Sequence, residues 1–222
     1  MQSSNSVENY IKGIYNLSND NRDWVSTKDL ADKMNIKPSS VTDMAQKLSS
    51  RKLVSYQKYK GVHLTNQGNK LALKVIRKHR LWEVFLHQTL GFSWDEVHEI
   101  AEQLEHIASP ELVKRLDKFL NYPKFDPHGD PIPDIDGKIK AAKRVLMSDC
   151  SIHDEGQLVG VNDSSTSFLQ FLESKQLILG INLKIKDKHE FDQSMDIELI
   201  DINQILNVSH SVASNLFLVK DK

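Results

Sequence analysis

Between Ser6 and Leu17 the apolar residues Val7, Tyr10, Ile11, Ile14, Tyr15 and Leu17 recur at helical spacing, and the polar run from Ser18 to Asn21 ends the pattern. Ser26 is a good N-cap for a short helix over Thr27 to Met34, and Asn35-Ile36-Lys37 makes a turn. Pro38 suits the first position of a second helix reaching about Arg51. Two short helices joined by a tight turn, with small hydroxyl residues opening the second, predict a helix-turn-helix. Val54 to Leu64 reads as two short strands around a basic tip closed by Gly61, the wing of a winged helix. Thr65 caps a long helix from Asn66 to about Leu90, which Gly91 ends. Ser93 caps another over Trp94 to Ile107, which Ser109-Pro110 stops. Glu111 to Leu120 repeats the amphipathic pattern, Tyr122 to Gly137 holds four of the six prolines and reads as a loop, and Lys138 to Leu146 predicts a short helix. From about Asp149 the composition turns to Ile, Leu, Val and Thr, with strand-like alternation in Leu179 to Ile185 and Ile197 to Ile205. The pattern predicts a mainly α chain: a winged helix over residues 1–65, a helical segment over 66–148 and a small β-rich domain over 149–222.

A net charge of −1 argues against nucleic acid until its distribution is considered. Lys37 to Arg80 holds eleven Lys/Arg and one acid, Asp43, whereas Leu81 to Lys140 holds twelve Asp/Glu against six Lys/Arg. The basic segment is the footprint of phosphate binding, and the acidic one suits a cation. The first residues lack the charged and apolar regions of a signal peptide, and no apolar run reaches membrane-spanning length, so a cytoplasmic protein without membrane association is expected. With a single cysteine, Cys150, a metal site has to use imidazole and carboxylate, and nine histidines make that possible.

Two constellations carry chemistry. The first is the recognition-helix candidate, where Ser39, Ser40, Thr42 and Asp43 lie on the leading turns, with Lys37 before them and Lys47 after, while Val41, Met44 and Leu48 recur at core spacing. Hydroxyls and helix N-terminal amides there bond phosphate, and Lys58 and Lys60 beside Tyr56 and Tyr59 make the wing basic. No Arg offers a bidentate guanine contact, which leaves room for shape readout. The bland alternative is an ordinary helical hairpin. The second constellation is His98, Glu102, Glu105 and His106 on one predicted helix and His79 with Glu83 on the preceding one, at spacings of three and four that place each set on one face. Crowded carboxylates call for a cation; imidazole and oxygen without thiolate suit Mn(II), Fe(II), Zn(II) or Co(II), tilting toward harder ions. An acidic pocket for a small organic effector is one competing reading. A helical metalloenzyme is another, although no His-Glu-x-x-His run is present. His63, His87, His128, His153, His189 and His210 read as solvated, Trp24, Trp82 and Trp94 as core or interface residues, and Cys150 as a small residue at a boundary.

The stretches Glu8-Asn-Tyr-Ile-Lys-Gly-Ile-Tyr15, Lys37-Pro-Ser-Ser-Val-Thr42, Tyr59-Lys-Gly-Val-His-Leu-Thr65, Arg77-Lys-His-Arg-Leu81, Glu105-His106 and Asp126-Pro-His-Gly-Asp-Pro-Ile-Pro133 resemble the diphtheria toxin repressor family of metalloregulators, and within it the manganese transport regulators. The resemblance covers nearly all of residues 6 to 148. It implies a homodimeric repressor of metal-uptake genes, whose helical segment dimerises and whose bound metal fits the two recognition helices to a palindromic double-stranded operator. It also implies a primary metal site at Asn9, Glu102, Glu105 and His106 and an ancillary one at His79, Glu83 and His98. Glu102, where iron-responsive members tend to have cysteine, favours Mn(II) over Fe(II). Asn9 stands where manganese regulators usually have aspartate, and Lys12 where they have a glutamate of a binuclear site, which favours the His79, Glu83 and His98 set for a second ion. The tail resembles the SH3-like β-barrel of longer members, and Ser164 and Ser167 stand where some supply further ligands, so no ligand is assigned there.

Overall fold

The computed structural model describes residues 5–18, 23–139, 144–163 and 165–220. They form two compact units, one drawn from residues 1–79, 102–115 and 133–139, the other from 80–101, 116–132 and 140–222.

In the first unit, α1 (Asn5–Leu17), α2 (Thr27–Met34) and α3 (Pro38–Ser50) surround a core that includes Val7, Ile11, Ile14, Leu30, Val41, Ala45 and Leu48. Gly13 is part of this fit: a Cβ there would meet Leu30 Cδ1 at 3.3 Å, so the missing side chain lets α2 lie close against α1. Ser26 caps α2 by accepting from Asp29 N at 3.0 Å, Asn35 closes it in the left-handed conformation, and Pro38 opens α3. The wing is the antiparallel hairpin β1 (Val54–Gln57) and β2 (Gly61–Leu64), in the register Val54 to Leu64 and Gln57 to Gly61. Gly61, at φ +108°, is required twice over. The conformation is disfavoured for other residues, and a Cβ would stand 2.0 Å from Val25 O, where residue 25 bridges to Val62. Thr65 Oγ1 accepts from Gly68 N at 3.1 Å and donates to Lys52 O, capping α4 (Asn66–Leu90) as expected, and Gly91 at φ +74° ends it. This long helix supplies residues to both units, as do α5 (Val97–Leu104) and α6 (Pro110–Phe119).

The helix expected over Trp94 to Ile107 is shorter than its pattern. Ser93 N donates to Glu96 Oε2 and Trp94 is buried, so residues 94–96 form a turn before α5, and Glu105 and His106 lie just past its end. Pro110, expected only to stop a helix, instead opens α6, whose Leu112 N is capped by Ser109 Oγ.

The second unit carries a six-stranded antiparallel sheet in the order β3-β8-β4-β5-β6-β7, the SH3-like tail. Its strands are β3 (Val145–Leu146), β4 (Glu155–Val161), β5 (Asn182–Lys188), β6 (Met195–Leu199), β7 (Gln204–Val208) and β8 (Leu216–Lys220). The single strand expected over Ile197 to Ile205 is two, because a 3-10 turn at Ile200–Ile202 and left-handed Asn203 reverse the chain between them. Two helices the alternation did not show, α7 (Thr166–Ser174) and α8 (His210–Ala213), help close a core of Met147, Leu158, Leu169, Leu172, Leu183, Ile197 and Leu216 around which Trp94 also packs. The short helix expected over Lys138 to Leu146 falls partly on residues 140–143, outside the described residues, and its last two residues form β3. Among the described residues no helix is long and apolar enough to cross a membrane.

Candidate metal centre and nucleic-acid surface

In the first unit, α4 brings His79, the end of α5 brings Glu102, and the following turn brings Glu105 and His106. Ligand atoms of His79, Glu102 and Glu105 all lie within 4.8 Å of one another. Glu105 is fully buried, with Oε2 2.7 Å from His79 Nδ1, and Lys12 Nζ donates to Glu102 Oε1 at 2.6 Å and to Glu105 Oε2 at 2.7 Å. Among the described residues no donor reaches Glu105 Oε1 or the buried Asn9 Oδ1, and His106 Nε2 stands 3.8 Å from the former. Buried acceptors left without donors are costly, and a hard cation relieves that cost. Glu8, which the spacing did not single out, lies 2.9 Å from His106 Nδ1 and also accepts from Lys78 at 3.4 Å. A proton on Nδ1 directed to that carboxylate would leave the Nε2 lone pair facing Glu105 Oε1 at 3.8 Å, the arrangement that orients metal-bound histidines. The residues therefore fit a divalent ion, with Lys12 holding part of the negative charge in its place.

The ancillary set divides between the units. His79 belongs to the first, and Glu83 and His98 to the second, where His98 is exposed with Nδ1 3.3 Å from the buried Glu83. The second unit also assembles Glu83, Asp126 and His128, all buried, with ligand atoms within 4.8 Å. His128 is thus not the solvated loop residue expected. Its ring stacks on Trp94, Nε2 lies 2.8 Å from Trp94 O, and Nδ1 faces Glu83 Oε1 at 3.8 Å. A proton on Nε2 leaves Nδ1 as an acceptor directed at a carboxylate, which again fits a cation. The loop is built for this placement. Asp126 Oδ1 accepts from His128 N and Asp130 N, and Gly129 at φ +84° passes where a Cβ would lie 1.7 Å from Val159 O. Burial, and then Glu83 and Asp130, push the Asp126 carboxyl up to about 8, against the opposing pull of Arg80. The Asp-Pro-His-Gly-Asp run was the available signal, but its partners lie far away in sequence. Ser167 falls on α7, and Ser164 is outside the described residues.

The nucleic-acid candidates share the first unit. Lys37, Ser39, Ser40, Asp43 and Lys47 are exposed along α3, whereas Thr42 is half-buried and its hydroxyl donates to Pro38 O at 3.1 Å. The buried face is Val41, Ala45 and Leu48, with Met44 only half-buried. At the wing, Lys58 and Lys60 are exposed, Lys60 Nζ sits 4.2 Å over the Trp24 ring, and Tyr59 stands almost wholly in solvent. Half-buried Trp24 therefore braces the wing and is not a core residue.

Residues 2–62 match the model of the iron dependent repressor N-terminal DNA binding domain, and residues 65–134 that of the iron dependent repressor metal binding and dimerisation domain. An uncharacterized helix-turn-helix transcriptional regulator of Methanocaldococcus jannaschii is 39% identical over 53% of this chain and 94% of its own. The transcriptional regulator MntR of Oceanobacillus iheyensis is 32% identical over 64% of this chain and 88% of its own. Among solved structures, a manganese-dependent transcriptional repressor in complex with manganese superposes with a TM-score of 0.84 at 32% identity, covering 97% of this chain and all of its own. The manganese regulator SloR gives 0.70 at 36% identity over 97% of this chain and 98% of its own.

Proposed function

Because the chain belongs to the iron-dependent repressor family of metal-dependent, DNA-binding transcriptional repressors, a family of regulators and not of enzymes, we propose that it is a Mn(II)-activated cytoplasmic repressor of metal-uptake genes. In this reading residues 1–65 bind DNA, 66–148 bind metal and form the homodimer, and the tail from 149 is an accessory domain. The operator is a palindrome whose half-sites each receive one α3. The observation that carries the metal assignment is the oxygen and imidazole set of Asn9, Glu102, Glu105 and His106, in which Glu105 is fully buried and, among the described residues, no donor reaches Glu105 Oε1 or Asn9 Oδ1. Similarity to a repressor solved with manganese favours that ion over Fe(II).

Asn9 of α1, Glu102, Glu105 and His106 would hold the ion, whose positive charge would offset the two carboxylates. Around it, Glu8 orients His106, and Tyr10 on α1 donates from its hydroxyl to Ser40 O at 3.5 Å, at the leading end of α3. Moving α1 therefore moves the residues that face DNA, and the two binding events are coupled. In the second unit, Glu83, Asp126 and His128 form the better-enclosed set for a second ion. The ancillary set of His79, Glu83 and His98 shares Glu83 with it.

The test is DNA binding by the metal-stripped chain, titrated separately with Mn(II), Fe(II) and Zn(II), on DNA upstream of a metal-transporter gene from its own genome. Activation by Mn(II), lost in Glu105→Ala and His106→Ala chains that remain folded dimers, is the expected result. Operator binding equally tight with and without metal would overturn the reading.

A further inference from the structure

Lys12 is only 9% exposed, and an ammonium, having no acceptor, is not a metal ligand. It projects from α1 between Glu102 Oε1 at 2.6 Å and Glu105 Oε2 at 2.7 Å, the two carboxylates assigned above to the ion. Glu105 is fully buried, and its other oxygen accepts no hydrogen bond among the described residues. A charge so placed is held only by its partners. Conversely, if it were withdrawn, the buried Glu105 and the partly exposed Glu102 would lose the ammonium they share. A divalent ion that enters this donor set must draw on the same two carboxylates, and it brings a second cation within a few ångströms of the ammonium in a medium that screens poorly.

We infer that Lys12 is the internal counter-cation of the metal-free centre, competing with the incoming divalent ion for Glu102 and Glu105 and thereby setting the ion concentration at which the centre fills. The inference rests on the assignment of those glutamates as ligands. It makes Lys12 a threshold-determining residue: without the ion, the ammonium keeps α1 attached to residues 102 and 105; with the ion, that attachment passes to the metal. A residue of similar length without charge removes the competition and leaves the donors in place.

The experiment compares the full-length chain with Lys12→Met and Lys12→Gln after metal stripping. It measures Mn(II) uptake from the paramagnetic resonance of the free ion and follows thermal melting in chelator and in excess Mn(II). A Glu105→Gln chain marks which uptake belongs to this centre. The expected result is Mn(II) affinity at least about tenfold tighter in both Lys12 variants, from loss of the opposing charge, with lower melting in chelator and a larger upward shift on adding the ion. Unchanged or weaker affinity in a variant that is folded with metal overturns the proposal. Should neither variant fold, the wild-type chain decides through the nitrogen–proton correlation of the Lys12 ammonium. A signal that shifts or vanishes as Zn(II) fills the centre supports competition, and one that stays unaltered overturns it. Failure of the underlying assignment is distinct: Glu105→Gln would then leave Mn(II) uptake the same as wild type.

Discussion

The two candidate centres deal with buried negative charge in different ways. In the first unit a lysine is inserted between the carboxylates of Glu102 and Glu105. In the second unit, burial and Glu83 raise the Asp126 carboxyl to about 8, which favours its neutral form against the pull of Arg80. Both devices let the metal-free chain fold around acids that would otherwise repel. They differ in what an arriving ion must overcome. One centre must give up an internal salt bridge, fixed by the chain. The other must give up a proton, so its affinity follows the pH of the medium.

The comparison can be broken most sharply at Glu105. Glu105→Gln keeps the shape but removes the charge shared by Lys12 and the ion. Metal activation of operator binding should fall on the order of 100-fold, the upper range of such couplings, while ion uptake at Glu83, Asp126 and His128 persists. Gel-shift titrations beside ion-uptake measurements check this, and loss of both together would show that the centres are not separate. Next in size, Gly129→Ala forces a Cβ against Val159 O and a side chain into φ +84°, and should cost roughly 2–3 kcal/mol in urea unfolding. It should also release the second centre's ion; an unchanged midpoint would mean that the loop is not pinned there. His128→Ala is gentler, lowering second-ion affinity about tenfold with the first ion retained, as removal of an oriented imidazole does. Calorimetric titration resolves the two events. The remaining effect is on pH. Because the folded Asp126 carboxyl titrates at about 8 and the ordinary one at 3.8, the native state keeps a proton the unfolded chain loses between those values. Stability contributed by this group is thus greatest at the acid end and declines as pH rises through that window. Melts in chelator should show a wild-type decline that Asp126→Asn flattens; parallel profiles would refute the neutral carboxyl.

Much of the first unit was legible because its signals are local. The periodicity of Val7 to Ile14, the Ser26 and Thr65 caps, Pro38 and Gly61 each act within a few residues. The closeness of Glu102 and Glu105 to His79 was also legible in spacing, although the helix before Glu105 stops sooner than its pattern and starts later, after buried Trp94 and the Ser93–Glu96 bond. What escaped was non-local. His128 owes its burial to Trp94, 34 residues away, and Lys12 reaches Glu102 across 90. Neither contact leaves a mark in spacing. In the tail, the alternation from Ile197 to Ile205 concealed a reversal that Asn203 makes by adopting φ 52°. Likewise α7 is too short, and its apolar content too strand-like, for periodicity to separate helix from strand.

The wing's attachment bears on how quickly a complex can form. Gly61 lies so close to Val25 that the hairpin is fixed to the residue just ahead of the α2 cap, with the Lys60 ammonium already resting over Trp24. A finger shaped before it meets the duplex gives up little conformational freedom on landing, so its lysines spend their attraction for phosphate on affinity and not on ordering. Encounters with DNA should then be productive at first contact, and residence time, more than arrival rate, becomes the quantity that bound metal adjusts.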